Sequence, residues 1–139
     1  MNRRLQIFFA VLIIGVFAAG CADTPAASPS LGHSFVLNVG QSITIASEDL
    51  KLRFDAVVSD SRCPSDVQCI RAGEAEVTLI ATQAGQATQL KLIELGLTSG
   101  PNVVNYKNYT LEFKLTPYPV STNQIKTSDY RLELTVTKG

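Results

Sequence analysis

The chain has few of the side chains on which enzymes and metal sites most often depend. Its 139 residues include one histidine, one methionine, three cysteines and no tryptophan. The single histidine, His33, cannot supply a histidine pair for acid–base catalysis or a cluster of metal ligands. The glycine and serine motifs of hydrolases, nucleotide-binding loops and dinucleotide-binding folds do not occur. The sequence therefore predicts a protein that is not an enzyme and holds no metal or cofactor.

The chain also lacks an excess of either charge. Lysine and arginine together number 12, as do aspartate and glutamate. A protein that binds nucleic acid electrostatically presents a concentrated basic face. Nucleic acid is therefore not an expected partner.

Carboxylates are the main groups left for chemistry, and the candidates are Asp55, Asp60, Asp66, Glu74 and Glu76. Two carboxylates can act together in glycoside hydrolysis, and several can bind Ca²⁺ with loop carbonyls. No calcium-loop spacing occurs among them. We interpret them as scattered surface acids.

The one long apolar run lies near the amino end, from Leu5 to Phe17, after Arg3 and Arg4. It is shorter than the roughly 20 residues that cross a bilayer. A charged start, a short apolar core and small residues before a cleavage point are typical of an export signal. The pattern predicts a signal peptide at residues 1–20. This segment could be cleaved with attachment of a lipid to the new first residue, cleaved without a lipid, or retained as a membrane anchor.

The sequence Ala18-Ala19-Gly20-Cys21 resembles the lipobox of bacterial lipoproteins, with alanine where the first position more often has leucine. The resemblance implies cleavage after Gly20, a diacylglycerol on the sulfur of Cys21 and acylation of the new amine, for instance by palmitate. Each buried methylene contributes about 0.8 kcal/mol, so two or three chains hold a small domain firmly at a membrane. Ala22 after the cysteine implies delivery to the outer membrane if the source has two membranes.

Cleavage would leave 119 residues, which is enough for one domain with a real core. Loss of Arg3 and Arg4 would leave ten basic residues against twelve acidic ones, a formal charge of −2. Small residues and prolines dominate the stretch after Cys21, which is typical of a flexible tether. The predicted organisation is a lipidated cysteine and tether at 21–33 and a single domain at 34–139.

Apolar and polar residues alternate along most of the predicted domain, as in strands that bury one face. The strongest alternation runs over Leu50–Val58, Tyr109–Thr116 and Tyr130–Thr137. Weaker candidate strands are Phe35–Val39, Gln41–Ala46, Ala75–Thr82, Thr88–Glu94 and Val103–Tyr106. We predict an all-β fold, an antiparallel, Ig-like β-sandwich of about seven or eight strands, with a small β-barrel as the alternative.

Cys63 and Cys69 form an even pair once Cys21 is lipidated, in a compartment where disulfides persist. Pro64 favours a turn between them, so the short loop can close locally. The predicted disulfide has two alternatives, a redox-active pair and a zinc site. A redox pair is usually Cys-X-X-Cys on a thioredoxin-like frame, and a structural zinc site needs further ligands.

The segment Ser61–Gly73 resembles one found in small uncharacterised bacterial envelope proteins. The likeness rests on an Arg-Cys-Pro, a second cysteine after five intervening residues, and an Ala-Gly soon afterwards. The resemblance implies a secreted β-domain and no specific activity. A loop held by a rigid scaffold is a common binding surface, and this one would present Arg62, Asp66, Gln68 and Arg71. Alternatively, the disulfide only pins a long connection.

These features together predict a lipid-anchored accessory or binding module of the bacterial cell envelope, outside the cytoplasm. Its expected partners are the membrane, through the lipid, and an envelope protein or glycan. The alternative function is inhibition of a hydrolase, a protease or a lysozyme, by the Cys63–Cys69 loop. Tyr118 lies between two prolines that are expected to end a strand, and it could stack on a sugar or a partner surface.

Overall fold

The computed structural model describes residues 28–97 and 100–139. Within them the chain forms eight strands and two short 3₁₀ turns, Ala46–Glu48 and Thr127–Asp129. The strands are β1 (Ser34–Asn38), β2 (Ser42–Ile45), β3 (Leu50–Asp60), β4 (Glu74–Gln83), β5 (Gln86–Leu95), β6 (Asn102–Tyr106), β7 (Tyr109–Thr116) and β8 (Arg131–Lys138). The predicted signal peptide and Cys21 lie outside the described residues.

The strands form two antiparallel sheets of four strands each. One sheet has the order β1-β8-β7-β6, and the other has the order β2-β3-β4-β5. Each sheet keeps two edge strands, so neither closes on itself as a barrel would. The described residues therefore confirm the predicted β-sandwich over the barrel alternative.

Side-chain alternation explains why these segments form strands around one core. In β7, the buried side chains of Tyr109, Leu111, Phe113 and Leu115 alternate with side chains that face outward. Successive side chains on a strand point to opposite faces, so one face of each sheet is dry and the other is wet. The largest fully buried side chains come from both sheets and include Leu37, Phe54, Leu79, Leu92, Leu132 and Leu134.

The second half of β3 departs from simple alternation. The sequence pattern puts Ala56 and Val58 on the same face as Phe54. The pairing of β3 with β4 instead shifts register between Phe54 and Ala56, and again between Val57 and Ser59. A bulge adds an unpaired residue and reverses the faces beyond it. As a result, Val57 packs against the core and Val58 is 59% exposed.

One end of the sandwich, which we call the loop pole, carries residues 61–73, 96–97 and 117–130. Backbone hydrogen bonds join these three segments. The N–H of Ser65 donates to the carbonyl of Pro119 at 3.0 Å, and the N–H of Gly96 donates to the carbonyl of Gly73 at 2.9 Å. The loop pole is therefore one connected surface.

The opposite end, which we call the tether pole, carries residues 31–34, 46–49, 107–109 and 138–139. The N–H of Gly32 donates to the carbonyl of Val136 at 2.8 Å, so the described chain enters the domain at this end. His33 is exposed here. β4 has ten residues, and a strand rises by about 3.3 Å per residue, which puts the poles roughly 30 Å apart.

Tyr106 and Tyr109 are cross-strand partners at the β6–β7 turn. They allow a test of how much a buried hydroxyl costs when it lacks a hydrogen-bond partner. Both are buried, and the Tyr109 hydroxyl donates to Glu48 Oε2 at 2.7 Å. The Tyr106 hydroxyl has no hydrogen-bond partner in the described part of the chain. Since a buried, unpartnered hydroxyl is costly, Tyr106→Phe is expected to raise the free energy of unfolding by about 1 kcal/mol.

The matched variant, Tyr109→Phe, is expected to change stability in the opposite direction. It removes the hydroxyl that binds Glu48 and also accepts from the Gln83 side chain at 3.0 Å. Urea denaturation of the two variants beside the parent measures both changes. A loss of stability in Tyr106→Phe would contradict the assignment of that hydroxyl as unsatisfied.

Candidate functional site

Arg62 lies buried at the base of the Cys63–Cys69 loop, with 3% of its surface exposed. Its Nε and Nη2 donate to the two carboxylate oxygens of Asp60 at 2.9 and 2.7 Å, and its Nη1 donates to Glu94 Oε1 at 2.8 Å. A bidentate arginine–carboxylate pair is strong and fixes orientation. The expectation that the loop presents Arg62 on its surface is therefore wrong, because the guanidinium is buried and bound to Asp60 and Glu94.

The same network completes the edge of β7 where β6 stops. Asn102, the first residue of β6, pairs with Phe113 of β7. β7 continues beyond Phe113 to Thr116 without β6 beside it. Leu115 N–H donates to Glu94 Oε2 at 2.5 Å, and its carbonyl accepts from Arg62 Nη1 at 2.8 Å. Arg62 Nη2 also donates to the carbonyl of Pro117 at 3.1 Å. Buried backbone groups must be paired, and here side chains replace a strand.

The charges of the network shift the pKa values of its members. Burial alone would raise the pKa of Asp60, but the hydrogen bonds and charge of Arg62 outweigh it, so the net pKa is lowered from its ordinary 3.8. The Tyr130 hydroxyl donates to Asp60 Oδ2 at 3.0 Å. Burial, followed by the negative charge of Asp60, raises the pKa of Tyr130 to about 12. Asp60 is therefore an ionised acceptor and Tyr130 a neutral donor near neutral pH.

The predicted disulfide between Cys63 and Cys69 is confirmed, with Cα atoms 5.9 Å apart. Cys63 is buried and Cys69 is exposed, so the bond joins the base of the loop to its outer part. The N–H of Cys63 donates to the carbonyl of Ala72 at 2.8 Å. This bond and the neighbouring Arg62 fix the base of the loop.

Asp66 ties the loop to the segment that follows β7. Its carboxylate accepts from the backbone N–H of Ser121 at 2.7 Å and from the Ser121 hydroxyl at 2.5 Å. These hydrogen bonds, the hydroxyl first, lower the pKa of Asp66. Asp66 is exposed, but its oxygens are already engaged in a structural contact.

Gln68 and Arg71 are the two remaining predicted site residues, and both are exposed at the loop pole. Neither side chain makes a hydrogen bond or ion pair within residues 28–97 and 100–139. Ile70 lies between them in sequence and is fully exposed, at 104%. Gln68, Ile70 and Arg71 therefore present exposed side chains without a polar partner in the described residues.

Ile70 is a further candidate contact residue, which the polar side chains predicted for this loop did not include. A lone apolar residue between a disulfide cysteine and an arginine, outside any strand, was the available signal. Other large apolar side chains are also exposed at this pole, namely Val67 at 46%, Leu97 at 64% and Val120 at 38%. Several exposed apolar groups at one end of a domain are a feature of many interaction surfaces.

The carboxylates considered for catalysis or Ca²⁺ binding do not form a shared site among the residues that the structure describes. Asp55 lies 3.3 Å from Arg53, and Glu76 lies 2.7 Å from Lys91, on the outer surface of the second sheet. In the described part of the chain, no group of three or more histidine, cysteine, aspartate or glutamate side chains converges on a metal position. Among the same residues, no helix has the length and apolarity needed to cross a membrane.

Comparison of the chain with protein-family models, with curated proteins and with solved structures finds no match.

Proposed function

We propose that this chain is a lipid-anchored, extracytoplasmic binding module of the bacterial cell envelope that presents its loop pole to a partner protein. The observation that carries the proposal is the opposite placement of two features. The described chain enters at the tether pole, and the rigid loop with the fully exposed Ile70 lies at the other end. The module acts by binding and not by catalysis.

The length of the tether supports this orientation. Cys21, the proposed lipidation site, precedes Ser28 by seven residues, which span at most about 25 Å when fully extended. The poles are roughly 30 Å apart, by the length of β4. A lipid on Cys21 would therefore hold the tether pole near the bilayer, because the described chain enters the domain at that pole.

The disulfide supports both the location and the mode of binding. Disulfides persist outside the cytosol, which agrees with an exported protein. A loop that is already ordered loses little conformational freedom when it binds, so more of the contact energy appears as affinity. Arg62 and the Cys63–Cys69 bond hold the loop in this way, and they leave Gln68, Ile70 and Arg71 free for contact.

The same disulfide-held loop, with its fully exposed Ile70, favours inhibition of a hydrolase as the second candidate function. A protease or lysozyme cleft can receive a convex loop that carries one exposed apolar side chain. Adding the purified protein in excess to a panel of such hydrolases tests this candidate. Inhibition by the parent protein, lost in Ile70→Asp, would select it over a non-enzyme partner.

Site-specific photocrosslinking in cells tests the proposal. Full-length chains carrying p-benzoylphenylalanine at position 70, on the loop pole, or at position 108, on the tether pole, are irradiated in the native envelope. We expect a discrete protein adduct at position 70 only. Excess protein with Ile70 intact should suppress the adduct, whereas Ile70→Asp protein should not.

Three outcomes of the crosslinking would overturn the proposal. They are no protein adduct at position 70, equal adducts at both positions, or lipid adducts at position 70. The anchor is tested separately by Cys21→Ser, which should release the protein from the membrane fraction. Mass spectrometry of the parent protein should show acyl groups on Cys21, and an unmodified amino end would refute that half of the proposal.

A further inference from the structure

A groove of about 550 Å³ lies over the outer face of the β1-β8-β7-β6 sheet, beside the loop pole. It opens where β6 stops and β7 continues. Its polar lining comes mainly from β7 and β8 and includes Asn102, Glu112, Lys114, Glu133 and Thr135. Two aromatic residues also line it, the buried Phe113 and the partly exposed Tyr118. This volume lies within the range typical of small-molecule sites.

Three charged side chains of the groove are unpaired, whereas a fourth, Glu94, is bound to Arg62. Lys114 and Glu133 are cross-strand partners, yet neither of them, nor Glu112, forms an ion pair or hydrogen bond within the described residues. All three are exposed to the groove and to solvent. Two carboxylates and one ammonium group are thus available to hydroxyl or amino groups of a ligand, with a net charge of −1.

Tyr118 is held in a fixed orientation by two contacts. The Arg62 guanidinium carbon lies 4.9 Å from the ring centroid, and the hydroxyl accepts from the Leu97 N–H at 3.0 Å. Arg62 is itself locked by Asp60 and Glu94. Tyr118 is therefore preorganised by the buried network, which reduces the ordering cost of binding.

We infer that this groove binds an oligosaccharide that is neutral or carries amino groups. Sugar rings present an apolar C–H face that packs on an aromatic ring, and their hydroxyls pair with carboxylates and carboxamides. Tyr118 supplies the ring, Glu112 and Glu133 accept from hydroxyl or ammonium groups, and Lys114 and Asn102 donate. The net negative charge of the unpaired groove side chains disfavours anionic glycans. The inference goes beyond the partner-protein proposal, because the groove does not include Ile70.

Calorimetric titration of the full mature protein in detergent tests the inference with three probes, a glucosamine tetramer, cellotetraose and tetralysine. Both sugars are expected to bind saturably. Tyr118→Ala should weaken both by about tenfold or more, which corresponds to at least about 1.4 kcal/mol. Glu112→Gln and Glu133→Gln should weaken only the glucosamine tetramer, because they remove charge and keep shape.

Glu74→Gln is the matched control, since Glu74 is an exposed carboxylate on the other sheet. It should leave all affinities unchanged. Tyr118→Ala also disturbs Arg62, so the two glutamine variants keep the test decisive if that variant unfolds. Absence of saturable sugar binding would overturn the inference, as would equal binding by all variants. Binding of tetralysine alone would overturn it in favour of a cationic peptide ligand.

Discussion

Replacing Arg62 by methionine is expected to lower the free energy of unfolding by about 3–5 kcal/mol, because it breaks a buried ion network from one side. Asp60 and Glu94 would keep their charges in a buried environment without a counter-charge. The carbonyls of Leu115 and Pro117 would also lose a donor. Urea denaturation followed by circular dichroism measures the change.

Arg53→Met is the matched control for this prediction. Arg53 also pairs with an aspartate, Asp55, but at 3.3 Å and with its side chain 49% exposed. Exposed pairs contribute little, so the expected loss is below about 1 kcal/mol. Combining Arg62→Met with Asp60→Asn and Glu94→Gln should recover part of the stability, because the orphaned charges are gone. If Arg62→Met lowers the free energy of unfolding no more than Arg53→Met does, the Arg62 ion pairs are exposed to water and not buried.

The stability supplied by Arg62 should also depend on pH in a defined direction. The pKa of Asp60 is lowered in the folded protein from an ordinary value of 3.8. The folded state therefore holds fewer protons than the unfolded state in this range, and the contribution is fully present above about pH 4. It is lost as the pH falls through the folded pKa. The stability difference between the parent and Arg62→Met should accordingly shrink in acid.

The strands could be predicted because burial of one face leaves a period-two trace in the sequence. Tyr109–Thr116 has that trace over its whole length, and the observed β7 has the same bounds. The bulges of β3 left no such trace. They depend on how β3 pairs with β4. Val57 and Val58 are both valine, so residue type could not show that only Val57 faces the core.

The disulfide could be predicted from spacing, but the burial of Arg62 could not. Its partners Glu94 and Leu115 lie 32 and 53 residues further along the chain. One signal was available. Glu94 follows Leu90 and Leu92 at the same period-two phase, so a charged side chain points toward the core and requires a buried counter-charge. An arginine beside a buried cysteine was the candidate partner.

The residue pattern of Ser61–Gly73 is largely accounted for by packing. Its arginine completes the β7 edge and its cysteines form the staple. Its glycine lies where the backbone has no room for a side chain. Within the described residues, the exposed side chains of Gln68, Ile70 and Arg71 have no hydrogen bond or ion pair that would give them a structural role. Packing therefore fixes the frame of the loop, and under the proposed function these side chains are the ones that would contact a partner.

Replacing Gly73 by alanine is expected to lower the free energy of unfolding by roughly 2–5 kcal/mol, from a left-handed backbone cost of about 1–2 and a steric cost of about 1–3. Gly73 has a φ of +67°, and a Cβ there would stand 1.8 Å from the carbonyl oxygen of Ser61. Ser61 cannot move away easily, because its N–H donates to the carbonyl of Glu74 at 2.8 Å. Urea denaturation measures the loss.

Gly40→Ala separates the two costs, because Gly40 shares the left-handed conformation without the crowding. Its φ is +82°, and a Cβ there would meet no atom within 4 Å. Only the conformational cost of about 1–2 kcal/mol is expected. Gly100 is also uncrowded and lacks a positive φ, so Gly100→Ala should be close to neutral. The excess loss in Gly73→Ala over Gly40→Ala measures how tightly the two ends of the loop are packed, and equal losses would mean that the base of the loop yields.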